Sequence, residues 1–126
     1  MQERSITIDN VTLRGWQAGP AGAPAIFLLH GGGVDNALLS WRLTLPVLAE
    51  THRVYAFDWP GYGESQALEG ASTLEAYDRL LLGLMDALGV AQAGLMGISM
   101  GGAAGLLFAL NHPQRVERLA LVDAYG

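Results

Sequence analysis

Gly97-Ile98-Ser99-Met100-Gly101-Gly102 is the stretch that decides the fold, because it separates two apolar segments of different character. Residues 93–96 form a short apolar run, typical of a strand that is covered on both faces. Residues 101–111 are predicted to form a helix, which Pro113 stops. A serine between two glycines at such a strand-to-helix turn adopts a strained backbone, and its hydroxyl points out above the sheet. Ser99 is therefore the predicted nucleophile.

The alternative interpretation of this motif is a chance match in which Ser99 is purely structural. The chain contains 17 glycines, and its composition predicts roughly 0.1 random occurrences of G-x-S-x-G. The strand and the helix predicted on either side lower that figure further, which favours the catalytic interpretation.

Alternating strands and helices are predicted on both sides of this turn. Apolar patterns predict strands over residues 5–9, 11–14, 25–29, 54–57, 93–96 and 119–122. Helices are predicted over residues 38–49 with Pro46 as a flaw, from the capping box Ser72-Thr73-Leu74-Glu75 to Gly89, and over residues 101–111. Residues 17–24 are predicted to be a connector and residues 58–66 a turn-rich loop. The repeated β–α unit predicts an α/β fold, a doubly wound, mostly parallel sheet with an N-terminal antiparallel hairpin.

A glycine-rich loop, His30-Gly31-Gly32-Gly33, follows the first predicted buried strand. An acyl-transfer enzyme must offer two preorganised hydrogen bonds to the developing oxyanion. The turn at Ser99 supplies one from the N–H of Met100, and the glycine loop is predicted to supply the other from Gly32, with Gly31 and Gly33 as neighbours. The alternative is an ordinary loop without a catalytic role. A dinucleotide-binding fingerprint is excluded because its third glycine is replaced by Asn36.

The composition excludes several other classes of chemistry. The net charge is −5 and the acidic residues are scattered, so no surface that binds nucleic acid is predicted. All seven basic residues are arginines and cysteine is absent, which excludes lysine Schiff bases, Ser–Lys dyads, disulfides and thiolate metal sites. No metal or organic cofactor is expected. Because the N-terminus lacks the apolar core of a signal peptide, the expected location is the cytoplasm.

One uncharged segment, residues 93–110, is long enough to span a membrane. Gly97, Gly101 and Gly105 also have the spacing of small residues seen in membrane helix pairs. The segment changes from a strand-like to a helix-like pattern and is rich in glycine, so we expect no membrane insertion.

Three motifs together resemble the α/β-hydrolase family over nearly the whole chain. Two are the glycine loop and the turn at Ser99, which resemble the oxyanion loop and the nucleophile elbow. The third is Asp58-Trp59-Pro60-Gly61-Tyr62-Gly63-Glu64-Ser65, which resembles the family's turn after the fourth strand. The resemblance is closest to carbon–carbon bond hydrolases and small esterases. It implies a serine hydrolase that acts on an ester or a similar acyl or C–C substrate through an acyl-enzyme, and a structural role for Asp58.

The serine needs a base, and the base needs an orienting carboxylate. His30, His52 and His112 are each expected to be structural. His52 and His112 are predicted to lie away from the rim where Ser99 is expected, and His30, the one near that rim, belongs to the glycine loop. Asp123 follows the last strand at that rim and is a candidate triad acid, as in haloalkane dehalogenases; the alternative is a capping or turn residue. The family's histidine lies near the end of a chain of about twice this length.

The resemblance therefore implies that residues 1–126 are the N-terminal half of the domain, truncated after about the sixth strand, without the lid and the C-terminal half. Such a half is expected to be inactive or weak alone. Its last strand would form an exposed apolar edge. We expect that edge to associate, either as a homodimer through residues 118–123 or with a complementing C-terminal half. The alternative function is a non-catalytic half-domain that binds a partner through this edge.

Overall fold

The computed structural model describes residues 1–123 of the chain. They form one six-stranded sheet with helices on both of its faces. The strands are β1 Gln2–Ile8, β2 Val11–Ala18, β3 Ala25–Leu29, β4 Arg53–Phe57, β5 Ala93–Ile98 and β6 Val116–Val122. The helices are α1 Ala37–Trp41, α2 Leu45–Leu48, α3 Leu74–Ala87 and α4 Met100–Asn111, and a 3₁₀ turn covers Pro113–Arg115.

The strand order is β1-β2-β4-β3-β5-β6. β1 and β2 form the predicted antiparallel hairpin, and positive φ angles at Asp9 (48°) and Asn10 (66°) suit the tight two-residue turn between them. β2 also pairs antiparallel with β4, whereas β4, β3, β5 and β6 run parallel. The predicted α/β fold with a mostly parallel sheet and an antiparallel hairpin is confirmed.

The connector predicted over residues 17–24 begins too early. Gln17 and Ala18 belong to β2, where they pair with Tyr55 and Val54 of β4. The pairing partner lies far away in the sequence, so the local glycine- and alanine-rich composition could not indicate this part of the strand.

The single helix predicted over residues 38–49 is wrong, because α1 and α2 are separate short helices. Asn36 caps α1 by accepting a hydrogen bond from the Leu39 N–H at 2.9 Å. Pro46 lies in the first turn of α2, where a missing N–H breaks no hydrogen bond. The proline that was predicted to be a flaw therefore helps to begin the second helix.

The start of α3 also differs from the prediction by one residue. Thr73 rather than Ser72 is the N-cap, and its hydroxyl accepts the Ala76 N–H at 3.1 Å. Glu75 consequently occupies the second helical position, so the reciprocal bond of a capping box is not formed. Gly89 follows the end of the helix with a φ of 70°, as its predicted role as a stop signal requires.

Successive residues of the parallel strands point to opposite faces of the sheet. Phe27 and Leu29 of β3 belong to the larger core, together with buried residues of α3 and α4. Leu28 belongs to the smaller core, under α1 and α2. Within residues 1–123, no helix has the length and apolarity needed to cross a membrane. Residues 93–110, the alternative membrane segment, are instead divided between β5 and α4.

Candidate active site

Ser99 lies at a sharp turn between β5 and α4, with φ 53° and ψ −119°. This backbone conformation is unusual for a residue with a side chain. The flanking glycines are required by close approach. A Cβ on Gly97 would lie 2.4 Å from the Gly101 carbonyl oxygen, and a Cβ on Gly101 would lie 2.2 Å from the Leu29 carbonyl oxygen. The glycines therefore allow α4 to begin directly against β5 and β3.

Two backbone hydrogen bonds hold the turn in place. The Ser99 N–H donates to the Val122 carbonyl at 2.9 Å, and the Ser99 carbonyl accepts the Ala103 N–H at 3.1 Å. The Ser99 side chain is half-buried, and it does not cap α4. Ser99 consequently lies at the carboxyl ends of the parallel strands, and its hydroxyl is not used as a cap by the helix that begins there.

The glycine loop lies beside this turn because Leu29, the last residue of β3, pairs with Gly97 of β5. A Cβ on Gly31 would lie 3.4 Å from the Ser99 Cβ. A Cβ on Gly32 would lie 3.2 Å from the Met100 sulfur and 3.5 Å from the Tyr62 hydroxyl oxygen. The structure therefore brings together Ser99, Met100 and the two glycines that the sequence singled out.

The N–H groups of this loop are not equivalent. The Gly31 N–H already donates to the Asp35 carboxylate at 2.8 Å, so in this structure it is not free to meet a substrate oxygen. Within residues 1–123, the Gly32 N–H has no hydrogen-bond acceptor. Met100 is the first residue of α4, and the first N–H groups of a helix have no partner inside it. Gly33 is exposed, with a φ of 71°. The Gly31 N–H is thus bound within the protein, and the roles of Gly31, Gly32 and Met100 as oxyanion donors stay a prediction.

The buried His30 side chain links the glycine loop to the loop that follows β4. Its side chain has no solvent exposure, and its Nε2 accepts the Trp59 N–H at 2.9 Å. Nδ1 must then carry the proton, which it donates to the Gly31 carbonyl at 2.6 Å. Burial lowers the pKa of His30 below its ordinary value of 6.5, which keeps the ring neutral. Both ring nitrogens are occupied by backbone, as expected of a structural histidine.

Asp58 organises the loop that follows β4. Its buried carboxylate accepts the Ala37 N–H at 2.8 Å and the Glu64 N–H at 3.1 Å. The Asp58 carbonyl accepts the Ser65 hydroxyl at 2.7 Å. A Cβ on Gly63 would collide with the Asp58 carboxylate. The predicted structural role of Asp58 is confirmed by these contacts.

The remaining candidates lie in different parts of the molecule. Asp123 is exposed and follows Val122, whose carbonyl accepts the Ser99 N–H, so its backbone is close to the turn. Its role as a triad acid stays a prediction. His52 precedes β4, at the amino ends of the parallel strands, whereas Ser99 lies at their carboxyl ends. His112 ends α4, where its Nε2 is 3.0 Å from an Asp78 carboxylate oxygen. Across the residues described, no three His, Asp or Glu side chains cluster as a metal site would require.

Two residues beside the site were not singled out from the sequence. Asp35 binds the glycine loop, and Tyr62 places its hydroxyl near Gly32 and its ring edge-on against His30, at 5.2 Å between centroids. An aspartate just before a predicted helix is an available signal for the first of them, because such residues bond to nearby backbone N–H groups. Tyr62 has no comparable local signal.

Comparison with known proteins agrees with this geometry. A family model for the alpha/beta hydrolase fold matches residues 24–125. The chain is 40% identical over 114 residues to the dihydrolipoyllysine-residue acetyltransferase component of the acetoin cleaving system of Pseudomonas putida, an alignment that covers 90% of this chain and 30% of that protein. It is 39% identical over 108 residues to the 2-hydroxymuconate semialdehyde hydrolase of Pseudomonas sp. (strain CF600), covering 84% of this chain and 38% of that protein.

Among solved structures, the chain resembles the 2-hydroxy-6-oxo-6-phenylhexa-2,4-dienoate hydrolase of Rhodococcus sp. strain RHA1. The TM-score is 0.90 at 31% identity, and the match covers 98% of this chain and 46% of that one. The chain thus spans less than half the length of these three relatives. Since the matched region includes the glycine loop, the Asp58 loop and the turn at Ser99, the chain belongs to the α/β-hydrolase fold family.

Proposed function

We propose that this chain carries the nucleophile and the oxyanion hole of a serine hydrolase that acts on an ester or a similar acyl or C–C substrate. The observation that supports the proposal best is the strained turn at Ser99, beside which the N–H groups of Gly32 and Met100 have no acceptor within residues 1–123. A serine held in such a turn is typical of a nucleophile elbow. Strain of this kind costs of order 1–3 kcal/mol, so its presence favours a functional role over a chance match.

In the proposed reaction, the Ser99 oxygen attacks the substrate carbonyl carbon and loses its proton to a base. The negative charge that develops on the carbonyl oxygen is met by the N–H groups of Gly32 and Met100. The amino end of α4 adds a favourable dipole at the same place. Collapse of the intermediate breaks the bond to the leaving group, which takes up a proton, and water later hydrolyses the acyl-enzyme.

We propose that the base is a histidine other than the three in this sequence. His30 is buried with both nitrogens bonded to backbone, and His52 and His112 lie away from Ser99. A C-terminal half of the kind found in the family would supply the base, with Asp123 as a candidate acid. This chain alone is consequently expected to be inactive or weak.

The names of the relatives support a carbonyl substrate. One is named for 2-hydroxymuconate semialdehyde and another for a 2-hydroxy-6-oxo-dienoate. Both names describe compounds with a C=O group, which is the group that a serine nucleophile and an oxyanion hole act on together. We propose a small carbonyl compound of this general class as the substrate.

The proposal is tested by labelling the purified chain with a fluorophosphonate and measuring the intact mass. We expect slow, stoichiometric formation of one adduct, because the nucleophile and the oxyanion hole are present without a base. Ser99→Ala should abolish the adduct, whereas Ser72→Ala, at an exposed serine before α3, should leave it unchanged. An adduct that survives in Ser99→Ala, or no adduct with or without an added C-terminal half, would contradict the proposal. Full ester turnover by the chain alone would contradict the proposed source of the base.

A second candidate function is a non-catalytic half-domain that associates through its sheet edge. The supporting observation is β6, an edge strand whose Leu121 and Val122 are 43% and 40% exposed. An apolar edge of this kind can pair with another strand. We propose a homodimer or a complementing C-terminal half as its partner.

A further inference from the structure

Asp35 is the centre of a small hydrogen-bond network that holds the glycine loop. One oxygen of its carboxylate accepts the Gly31 N–H at 2.8 Å and the Ser40 hydroxyl at 2.6 Å. The other oxygen accepts the Asn36 N–H at 2.8 Å. The side chain is only 14% exposed, so these three donors replace most of the water that a carboxylate would otherwise bind.

Gly31 is therefore fixed at both ends of its backbone. Asp35 holds its N–H, and the His30 Nδ1–H donates to its carbonyl at 2.6 Å. In a trans peptide the C=O and the following N–H point in opposite directions. Because the buried His30 ring holds the Gly31 carbonyl, the Gly32 N–H must point away from that ring.

We propose that Asp35 is a positioning residue for the oxyanion hole. By binding the Gly31 N–H, Asp35 holds the His30–Gly31 peptide, while His30 holds the carbonyl of the Gly31–Gly32 peptide. Together the two bonds restrict the backbone rotation at Gly31 that would turn the Gly32 N–H away from the substrate oxygen. This inference rests on the proposed function, since it assumes that Ser99 attacks a group whose oxygen meets Gly32 and Met100. Asp35 itself does not touch the substrate.

Asp35→Asn is the most direct test, because the amide keeps the shape of the carboxylate and has one acceptor oxygen in place of two. Two properties are measured. Hydrogen exchange of the Gly31 and Gly32 amides is followed by NMR, and the fluorophosphonate reaction of Ser99 is resolved into its maximal rate and its half-saturating concentration. Thr73→Ala serves as the control for stability, because it removes the cap of α3 far from the site.

We expect the Gly31 amide to exchange at least about tenfold faster in Asp35→Asn, and the maximal labelling rate to fall about tenfold, with the half-saturating concentration within about twofold of the wild type. A loss of fold alone would not separate these two kinetic parameters. Thr73→Ala should lower the unfolding midpoint without changing the labelling rate. Where Asp35→Asn does not fold, Asp35→Glu takes its place, with the charge kept and displaced by one methylene, and the same direction of change is expected.

The Asp35 proposal is overturned if Gly31 exchange is unchanged in the variant, or if exchange accelerates while the maximal labelling rate stays at the wild-type value. Failure of the proposed function looks different. In that case the wild-type chain is not labelled at Ser99 at all, and the assignment of Asp35 to an oxyanion hole fails with it, even where exchange shows that Asp35 holds Gly31.

Discussion

Ser99, the proposed nucleophile, has a disfavoured backbone conformation. Its φ of 53° and ψ of −119° are held by the Val122 carbonyl and by the start of α4. A residue without a Cβ would adopt these angles at lower cost. A serine at this position therefore lowers the folding stability, and its hydroxyl is held in a defined position by the strained turn.

Replacing Ser99 by glycine should raise the free energy of unfolding by about 1 kcal/mol, because the strain at this position is relieved and outweighs the added entropy of the unfolded chain. Ser99→Ala keeps the Cβ and should leave the stability nearly unchanged. Urea denaturation of the three proteins checks this prediction. Equal stability of the glycine and alanine variants would show that the turn is not strained.

A second prediction at the residue scale concerns His30 and pH. Burial lowers the pKa of His30 in the folded chain, so below pH 6.5 the unfolded chain binds a proton that the folded chain resists. Stability should therefore decrease as the pH falls below 6.5, by up to about 1.4 kcal/mol per pH unit from this group.

This prediction is checked by measuring denaturation midpoints from about pH 7.5 to about pH 5.5, a range that includes the ordinary histidine pKa. His30→Gln should have a flatter profile than the wild type. His52→Gln is the matched control, since His52 is not fully buried. An equally steep profile in His30→Gln would contradict the prediction.

At the scale of elements, the site depends on how closely α4 approaches the sheet. Gly101 faces the backbone of Leu29, whereas Gly105, one turn later, faces only the ends of the Leu29 and Leu119 side chains. The first contact is with rigid backbone and the second with flexible side chains. The same substitution should consequently have very different effects at the two positions.

Gly101→Ala should destabilise the fold by about 3 kcal/mol, because its Cβ would lie 2.2 Å from the Leu29 carbonyl oxygen and the helix would have to move away. In Gly105→Ala the nearest atom is a Leu29 methyl carbon at 3.2 Å, and alanine favours the helix by up to about 1 kcal/mol. Urea denaturation of both variants compares them. Similar losses of stability at the two positions would argue against a close approach of α4 at Gly101.

At the scale of the whole molecule, the two edges of the sheet differ. One edge is β1, which is part of the hairpin, and the other is β6, which pairs with β5 on one side only. The residues of β6 from Ala120 onward are exposed and apolar. The same strand also supports the site, because the Val122 carbonyl binds the Ser99 N–H. Association at β6 would therefore take place beside the candidate nucleophile.

If β6 pairs with a second copy, Leu121→Lys should shift the chain toward the monomer, since a lysine on an exposed edge opposes strand pairing. Leu43→Lys, at a 78% exposed leucine between α1 and α2, is the matched control and should have no effect. Sedimentation velocity at micromolar concentration measures the assembly state. A monodisperse wild-type monomer would exclude the homodimer.

Local sequence was sufficient to predict most of the elements and to single out the main residues of the candidate site, whose roles stay a prediction. Hydrophobic periodicity and turn residues predicted all six strands, α3 and α4, and the positions of Ser99, Met100 and the glycine loop. These features depend on neighbours within a few residues. The same is true of Gly89, which was predicted to end α3 and follows its last turn.

Tertiary structure alone decided what depends on distant partners. The extension of β2 through Gln17 requires the pairing with β4, and the order of the strands follows from contacts that no local pattern contains. The same holds for the N–H groups of the loop, because a triplet of glycines offers three similar donors in the sequence. The folded backbone binds the Gly31 N–H to Asp35, whereas the Gly32 N–H, beside Met100, has no acceptor within residues 1–123. The physical reason is that a hydrogen bond is set by direction and distance in space, whereas composition and periodicity describe only which groups are available.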